Sequence, residues 1–207
     1  APVPVDEIVE EAADVAERIG LLLATAPEGE LLREGALAVL AGRPNAGKSS
    51  LYNALLGQER AIVTEEPGTT RDALEVTVQV GGFPFRLVDT AGLRETDRRV
   101  EQLGIDVAKR YLKDADVVLL CVPADEEISE SDRSFLDGVE APVLILRTKA
   151  DLRETSPGGE SFTHAVAVID VSIRSGDGLE ELRSALPGLA YSALFRVGAE
   201  VPWITRR

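Results

Sequence analysis

Short apolar segments alternate with amphipathic segments through most of the chain, from Leu37 to Glu181. Alternation of this kind is typical of an α/β fold, with helices packed on a mainly parallel sheet. Gly81-Gly82 between the second and third apolar segments indicates a tight hairpin, so we expect one antiparallel pair at the edge of the sheet. The pattern predicts strands at about 36–41, 73–80, 84–89, 116–122, 142–147 and 165–170, with helices near 48–57, 98–113, 131–138 and 178–186.

The two ends of the chain have a different character. Residues 6–25 carry apolar side chains at the spacing of one helical face and acidic side chains in the first turns, and we expect Pro27 and Gly29 to end this helix. After Pro187 the pattern loosens. We therefore divide the chain into a helical segment and linker (1–34), an α/β domain (35–187) and a C-terminal connector (188–207).

Charge and composition exclude several classes of function. The 207 residues carry a net charge of −14, which argues against this segment alone gripping a nucleic-acid backbone. No apolar run approaches the roughly 18 residues that cross a bilayer, and the acidic N-terminus is not typical of a secretory leader, so we expect no membrane partner. The single cysteine, Cys121, ends an apolar run and is expected to be a buried residue of a cytoplasmic protein.

Residues 42–49, GRPNAGKS, fit the phosphate-binding pattern G-x-x-x-x-G-K-[ST] and lie between a predicted strand and a predicted helix. Glycines let the backbone curve around phosphates, and the N-terminus of the following helix adds inward-pointing N–H groups. Lys48 is expected to reach the β and γ phosphates, and the Ser49 hydroxyl to bind Mg²⁺. The predicted phosphate-binding residues are Asn45, Ala46, Gly47, Lys48, Ser49 and Ser50.

A second motif, DTAG at residues 89–92, has the pattern of a loop that senses the last phosphate of a nucleoside triphosphate. Asp89 ends a predicted strand, where an acid holds Mg²⁺ through water, and Gly92 offers a backbone N–H to the γ-phosphate. The best-known switch GTPases carry a glutamine beside this glycine that orients the attacking water. Leu93 follows Gly92 here, and because its side chain cannot polarise water, another group must do so.

A third motif indicates which base is bound. Thr148-Lys149-Ala150-Asp151 follows a predicted strand, and the Asp151 carboxylate can accept hydrogen bonds from both N1–H and N2–H₂ of guanine, donors that adenine does not offer together. The stem of Lys149 would cover the face of the base. Ser172-Ile173 follows the next strand and would approach guanine O6 with a backbone N–H. The nucleotide is therefore predicted to be GTP rather than ATP.

Taken together, these motifs resemble the GTPase domain of the bacterial tRNA uridine-5-carboxymethylaminomethyl modification GTPases, over almost the whole chain. Shared segments are LREG, GRPNAGKSSLYNAL, GTTRD, DTAGLRET, VEQLGI, TKAD, SGDGLEELR and VPWITRR. Two of them, GRPN-x-GKS and GTTRD, also occur in ribosome-assembly GTPases with paired G domains, whereas LREG, the stretch from DTAGLRET to VEQLGI and the terminal TRR favour the tRNA-modification family. The resemblance implies a Ras-like P-loop GTPase fold, with three layers around a six-stranded, mostly parallel sheet.

For the full-length protein, the resemblance implies hydrolysis of GTP to GDP and phosphate that drives modification of the wobble uridine (U34) of certain tRNAs, together with a flavin-dependent partner protein. Members of the family also have a folate-binding domain and a helical domain into which the G domain is inserted. Residues 1–34 and 188–207 would then be connections to the helical domain. Folate, FAD and most tRNA contacts would belong to parts outside this chain.

The resemblance also implies a replacement for the missing glutamine. Two G domains meet face to face as a homodimer, and a K⁺ ion takes the place of the charge of an arginine finger. Glu101, twelve residues past Asp89, matches an acid that acts on the attacking water through a bridging water. Arg94 is a candidate for helping the switch loop to close. The implied K⁺ ligands are Asn45, Thr64, Glu66 and Thr69, and the implied Mg²⁺ ligands are Ser49, Thr70 and, through water, Asp89; Thr64, Thr69 and Thr70 also count among the nucleotide-binding residues.

Two positions depart from the family pattern. Thr148 stands where members usually have an asparagine that braces the base and the phosphate loop, so we expect guanine selectivity to be kept through Asp151 and affinity to be weaker. Ile173 replaces the usual alanine, and because that contact uses the backbone we expect little change.

Two other functions stay open from the sequence. One is a ribosome-assembly switch whose output is RNA binding, against which the acidic charge argues. The other is a guanine-nucleotide-binding module with little hydrolysis of its own.

Overall fold

The computed structural model of the protein describes residues 12–13, 15–17, 19–20, 26–58, 75–89, 101–153 and 165–192. The strands within these ranges are β1 (Ala36–Ala41), β2 (Glu75–Val80), β3 (Phe83–Asp89), β4 (Val117–Pro123), β5 (Val143–Thr148) and β6 (Ala165–Val171). The helices are α1 (Ala26–Glu34), α2 (Lys48–Gln58), α3 (Glu101–Lys113), α4 (Glu130–Asp137) and α5 (Leu179–Ala190), with a 3₁₀ turn at Ala150–Leu152.

All six strands form one sheet in the order β2-β3-β1-β4-β5-β6. The β2–β3 pair is antiparallel, and every other pair is parallel. Gly81 and Gly82 make the two-residue turn between β2 and β3 with φ of 58° and 85°, which are the positive values that such a hairpin requires. The predicted fold class, a six-stranded and mostly parallel sheet, is therefore confirmed.

The helices cover both faces of the sheet, as the three-layer prediction requires. One face packs against α2 and α5, and this core also takes in Leu31 and Leu32 of α1. On the other face Tyr111 of α3 packs beside Val39, and Leu136 of α4 joins a second cluster. Strands β1, β4 and β5 are buried along their whole length, which explains why their sequences are nearly continuous apolar runs.

The predicted helix boundaries were wrong at two prolines. Pro27 and Gly29 do not end a helix but lie within α1, because proline is accepted in the first turn, where its missing N–H would have no helical partner. Pro187 lies inside α5, which continues to Ala190. It cannot donate a helical hydrogen bond, but burial of Leu186 and Tyr191 on either side keeps the helix on the sheet.

The N-terminal helical segment agrees with its prediction at the residues that are described. Residues 12–13, 15–17 and 19–20 are helical, and Val15 and Ile19 of its apolar face are about half exposed. The boundaries at 34 and 187 between the segments of the chain stay predictions. Within the described residues, no helix is both long enough and apolar enough to cross a bilayer.

Tyr191 fastens the end of α5 to the beginnings of β1 and β3. Its buried hydroxyl accepts a hydrogen bond from the Ala36 N–H (3.0 Å) and donates one to the Pro84 carbonyl. Its ring packs against Phe83 and meets Phe85 edge to face, with centroids 4.9 and 5.5 Å away. Burial raises the pKa of Tyr191 to about 12, so the phenol stays neutral and keeps its donor at physiological pH.

We expect Tyr191→Phe to lower the free energy of unfolding by about 1–3 kcal/mol, because it leaves the buried Ala36 N–H without its acceptor. Urea denaturation followed by circular dichroism measures this change. Tyr52→Phe is the matched control, since Tyr52 is half-buried on α2 and removal of its hydroxyl is expected to cost less than about 0.5 kcal/mol. Equal losses in the two variants would contradict the role assigned to the Tyr191 hydroxyl.

Candidate functional site

The predicted site residues that the structure describes meet at one edge of the sheet. The phosphate-loop segment follows β1, Asp89 ends β3, Thr148 ends β5, and Ser172 follows β6. Because these strands are parallel to one another, their carboxyl ends lie at the same edge, which is where ligands of open α/β sheets bind. Residues that are far apart in the sequence thus line one surface.

The segment 42–47 is a tight loop in which three residues have positive φ. The angles are 130° at Gly42, 61° at Asn45 and 85° at Gly47. A Cβ on Gly42 would collide with the Cys121 carbonyl of β4, so only glycine lets the loop pass this strand. Cys121 itself is a buried core residue, as predicted, and burial raises the pKa of its thiol to about 12.

Lys48 lies inside this loop at the first turn of α2. Its side chain is almost fully buried, and Nζ donates hydrogen bonds to the carbonyls of Gly42 (2.8 Å) and Arg43 (2.7 Å). The N–H of Leu51 donates to the Gly47 carbonyl (2.9 Å), so the helix begins directly from the loop. A buried ammonium group and a helix N-terminus together make a site that favours an anion such as phosphate.

Ser49 and Asp89 supply oxygen atoms beside the loop. The Ser49 hydroxyl donates to Asp89 Oδ2 at 2.9 Å, and both side chains are at least partly accessible. A hydroxyl and a carboxylate at this spacing fit Mg²⁺, which prefers oxygen ligands and keeps several waters. Among the residues described, no group of three or more His, Cys, Asp or Glu could hold a metal.

Thr148 connects the base-binding segment to the phosphate loop. Its hydroxyl is buried and donates to the Ala46 carbonyl at 2.7 Å. A Cβ added to Gly47 would lie 3.3 Å from the Thr148 Cβ, so the two segments are in close contact. The threonine thus braces the phosphate loop through its side chain, at the position where asparagine was expected to do so.

Residues 149–151 place a carboxylate next to this brace. Lys149 adopts a left-handed conformation (φ 56°), which is uncommon for a residue with a side chain and starts the turn Ala150–Leu152. This turn exposes Asp151, and Oδ1 of Asp151 accepts a hydrogen bond from the Ser172 hydroxyl at 2.7 Å. The carboxylate is therefore held in a fixed orientation at the surface.

Ser172 acts through its side chain rather than through its amide. It is fully buried, and its N–H donates to the Asp177 carbonyl at 3.0 Å. The amide is therefore already used within the loop after β6. Of the two residues predicted to offer an N–H to guanine O6, Ile173 is then the remaining candidate, and its side chain is partly exposed.

An ion pair that the sequence did not reveal joins the two base-binding loops. Arg153 donates to both carboxylate oxygens of Asp170, at 3.1 and 2.6 Å, and this bidentate geometry resists rotation of either group. Gly178 closes the second loop with φ of 74°, where any Cβ would collide with the Asp170 carbonyl. Arg153 and Asp170 thus fix the spacing between Asp151 and Ser172.

Two further arginines at this edge also escaped the sequence analysis. Arg43 lies in the phosphate loop, and Arg147 is a buried charge in the otherwise apolar strand β5. The second could have been noticed, because a charged side chain within VLILRT needs a partner if the strand is buried on both faces.

Several predicted site residues have positions that the structure does not describe. Glu101 is the first residue of α3, and its side chain lies outside the described part. The switch residues lie wholly outside the described ranges; they are Thr64, Glu66, Thr69, Thr70, Gly92 and Arg94. Ser50 lies exposed in the first turn of α2, next to Ser49.

Comparison with known proteins agrees with this arrangement. Residues 37–149 match the family described as 50S ribosome-binding GTPase. Among solved structures, the G domain of the T. maritima FeoB iron transporter is 27% identical, with a TM-score of 0.53 over 75% of this chain and 98% of that one. Era bound to MgGDPNP and nucleotides 1506–1542 of 16S ribosomal RNA is 23% identical, with a TM-score of 0.56 over 74% of this chain and 56% of that one, which supports the fold alone.

Curated relatives are more similar in sequence. The tRNA modification GTPase MnmE of Bacillus subtilis (strain 168) is 40% identical over 92% of this chain and 42% of the relative. The protein of the same name from Moorella thermoacetica is 43% identical over 89% of this chain and 41% of the relative. The chain thus spans about two fifths of the length of these relatives.

These comparisons confirm the resemblance to the G domain of the tRNA-modification GTPases that the motifs indicated. The matched region contains the phosphate loop and extends to Lys149 of the base-binding segment. The chain belongs to the family of 50S ribosome-binding GTPases, and it is similar to the GTPase segment of the tRNA modification GTPases.

Proposed function

We propose that the loops at the carboxyl edge of the sheet bind GTP with Mg²⁺ and hydrolyse it to GDP and phosphate. The observation that carries this proposal is the hydrogen bond from Thr148 to the Ala46 carbonyl. It holds the carboxylate of Asp151 and the buried ammonium of Lys48 as parts of one surface. One end of that surface suits a guanine base, and the other suits a chain of phosphates.

At the base end, Asp151 accepts hydrogen bonds from N1–H and N2–H₂ of guanine, while Ser172 holds the carboxylate by its other side. Adenine lacks this pair of donors and would leave the carboxylate unpaired. Because an unpaired polar group in a binding site costs far more than a missing contact, this arrangement discriminates strongly against adenine nucleotides. Lys149 covers the base with its stem, and the Ile173 amide faces O6.

At the phosphate end, Lys48 and the loop amides bind the β and γ phosphates, with Ala46 and Gly47 forming the bend of the loop. Ser49 would hold Mg²⁺ together with Asp89, which would act through water, and Thr70 is the proposed further ligand. The ion, when bound, offsets negative charge on the phosphates. Gly92 offers its N–H to the γ-phosphate.

Hydrolysis needs two further contributions, a positive charge near the phosphates and a group that acts on the attacking water, because Leu93 cannot orient water. An arginine finger supplies about 10³ to 10⁵ in rate in other GTPases, and we propose that a K⁺ ion held by Asn45 supplies the comparable charge here. Asn45 supports this role because it is exposed on the phosphate loop. The other proposed K⁺ ligands are Thr64, Glu66 and Thr69.

Glu101 is the proposed residue that acts on the attacking water through a bridging water. Glu101 is the first residue of α3, twelve residues past Asp89, and this position supports the role. Arg94 is proposed to help the switch loop close over the γ-phosphate. Closure and the K⁺ site both require a second G domain, so the active species is a homodimer.

In the full-length protein, this cycle would drive modification of the wobble uridine U34 of tRNA, in the cytoplasm and with a flavin-dependent partner. Similarity to the MnmE relatives supports this role. Folate and FAD would be bound by other parts of that assembly. A ribosome-assembly role accords with the description of the family, but the net charge of −14 disfavours RNA binding by this chain.

We expect Thr148→Val to weaken GDP binding by about tenfold, because the phosphate loop loses a buried hydrogen bond at unchanged side-chain volume. Equilibrium titration with a fluorescent GDP analogue measures the change. Thr148→Ser keeps the hydroxyl and is expected to bind within about twofold of the parent. Equal affinities of the valine and serine variants would show that the brace does not support the nucleotide site.

We expect GTP turnover in KCl to exceed turnover in NaCl of equal ionic strength by about tenfold or more, and to rise more than linearly with protein concentration. Asn45→Ala should abolish the difference between the two salts while leaving GDP binding measurable. Equal rates in both salts would remove the ion from the mechanism. Single-turnover hydrolysis that stays slow at every concentration would instead favour a binding module with little hydrolysis of its own.

A further inference from the structure

The loop between β4 and α4, residues 124–129, lies between two arginines that belong to the two halves of the site. Arg43 reaches it from the phosphate loop: Nη1 lies 3.0 Å from Glu126 Oε2, and Nη2 donates to the Glu127 carbonyl at 3.4 Å. Arg43 Nε also lies 3.4 Å from Oδ2 of Asp132, at the start of α4. One guanidinium group thus contacts three successive parts of this region.

Contacts other than the one with Arg43 fix the side chain of Asp132. Its side chain is almost fully buried, and Oδ2 accepts hydrogen bonds from the Ser129 N–H (3.0 Å) and hydroxyl (2.7 Å) in a capping box. A carboxylate fixed in this way loses little further entropy when it pairs with a cation. The Arg43–Asp132 pair therefore has a fixed and buried carboxylate, whereas the carboxylate of the Arg43–Glu126 pair is exposed to solvent.

Arg147 holds the same loop from the opposite side. Its Nη2 donates to the carbonyls of Ala124 (3.2 Å) and Glu126 (2.7 Å), while the Ala124 N–H donates to the Thr148 carbonyl at 2.6 Å. Arg147 is buried, and within the described residues its Nε and Nη1 have no hydrogen-bond partner. A buried charge with unused donors is costly for stability, which favours a role in the site for this residue.

We propose that Arg43 is a positioning residue for nucleotide binding, and that residues 124–129 and Asp132 are the support against which it holds the phosphate loop. The links form a closed ring, from Arg43 through this support to Arg147, then along β5 to Thr148 and back to the Ala46 carbonyl. The Arg43 carbonyl also accepts a hydrogen bond from Lys48 Nζ, so a shift of Arg43 would move the phosphate-binding ammonium. The proposal rests on the proposed nucleotide site.

The direction in which Asp132→Asn changes nucleotide affinity distinguishes a positioning role from a purely electrostatic role. Asp132 is an anion close to the phosphate loop, so if it acted only through the electrostatic field, Asp132→Asn would strengthen binding of a phosphate anion. If it acts by holding Arg43, the same change weakens binding. The asparagine oxygen can still accept both hydrogen bonds from Ser129, so the cap of α4 is kept.

The test is the dissociation constant of a fluorescent GDP analogue for the parent chain and five variants. We expect Asp132→Asn and Arg43→Gln each to raise it about three- to tenfold, and the double variant to match Arg43→Gln alone, because the two changes break one interaction. Glu130→Gln removes an exposed carboxylate from the same first turn of α4, and should stay within about twofold of the parent. Tighter binding by Asp132→Asn, or additive effects in the double variant, would overturn the proposal.

Lys48→Ala, the fifth variant, shows whether the nucleotide site itself is correct. Loss of GDP binding by Lys48→Ala, with no change in Asp132→Asn, would overturn the role of Arg43 and leave the nucleotide site standing. Unchanged binding by Lys48→Ala would overturn the proposed site. Should Asp132→Asn lower the melting temperature of the nucleotide-free chain, Glu126→Gln tests the same support from an exposed side chain. An increase of the dissociation constant of about three- to fivefold is expected, and a change within about twofold would overturn the proposal.

Discussion

The hydrogen bond from the Thr148 hydroxyl to the Ala46 carbonyl joins two residues 102 positions apart in the sequence. It is possible only because the strand order places β4 between β1 and β5, so that the loops after β1 and β5 meet over the end of β4. The bond gives the phosphate loop a fixed partner on the base side. The distance between the Asp151 carboxylate, the proposed base-binding group, and the Lys48 ammonium, the proposed phosphate-binding group, depends on this contact.

Backbone crowding supplies the second constraint. Gly42 passes so close to the Cys121 carbonyl that no side chain fits, and this close passage turns the loop back over Lys48. The buried Lys48 ammonium group donates hydrogen bonds to two carbonyls of the same loop, and these bonds fix the position of the positive charge. A protein with a net charge of −14 needs such a local arrangement to hold an anionic ligand against its overall field.

Most of the fold followed from the sequence because β1, β4 and β5 are buried on both faces and therefore appear as apolar runs, and because Gly81-Gly82 specifies a hairpin. Helix ends were less predictable. Pro27 lies in the first turn of a helix, where proline is accepted, and Pro187 is kept inside a helix by the burial of its neighbours, which a local pattern does not show. Local sequence motifs were enough to single out Lys48 and Asp151. The roles of Arg43, Arg147 and the Arg153–Asp170 pair depend on contacts between distant segments, which local spacing does not encode.

The most direct test of the account is which base the carboxylate of Asp151 selects. Competition titrations would compare GDP with xanthosine diphosphate on the parent chain and on Asp151→Asn. The parent should prefer GDP by about 10² or more. The variant should reverse that preference, because an amide can accept from N1–H and donate to the xanthine oxygen that replaces the amino group. The same ranking in both proteins would contradict the placement of guanine at Asp151.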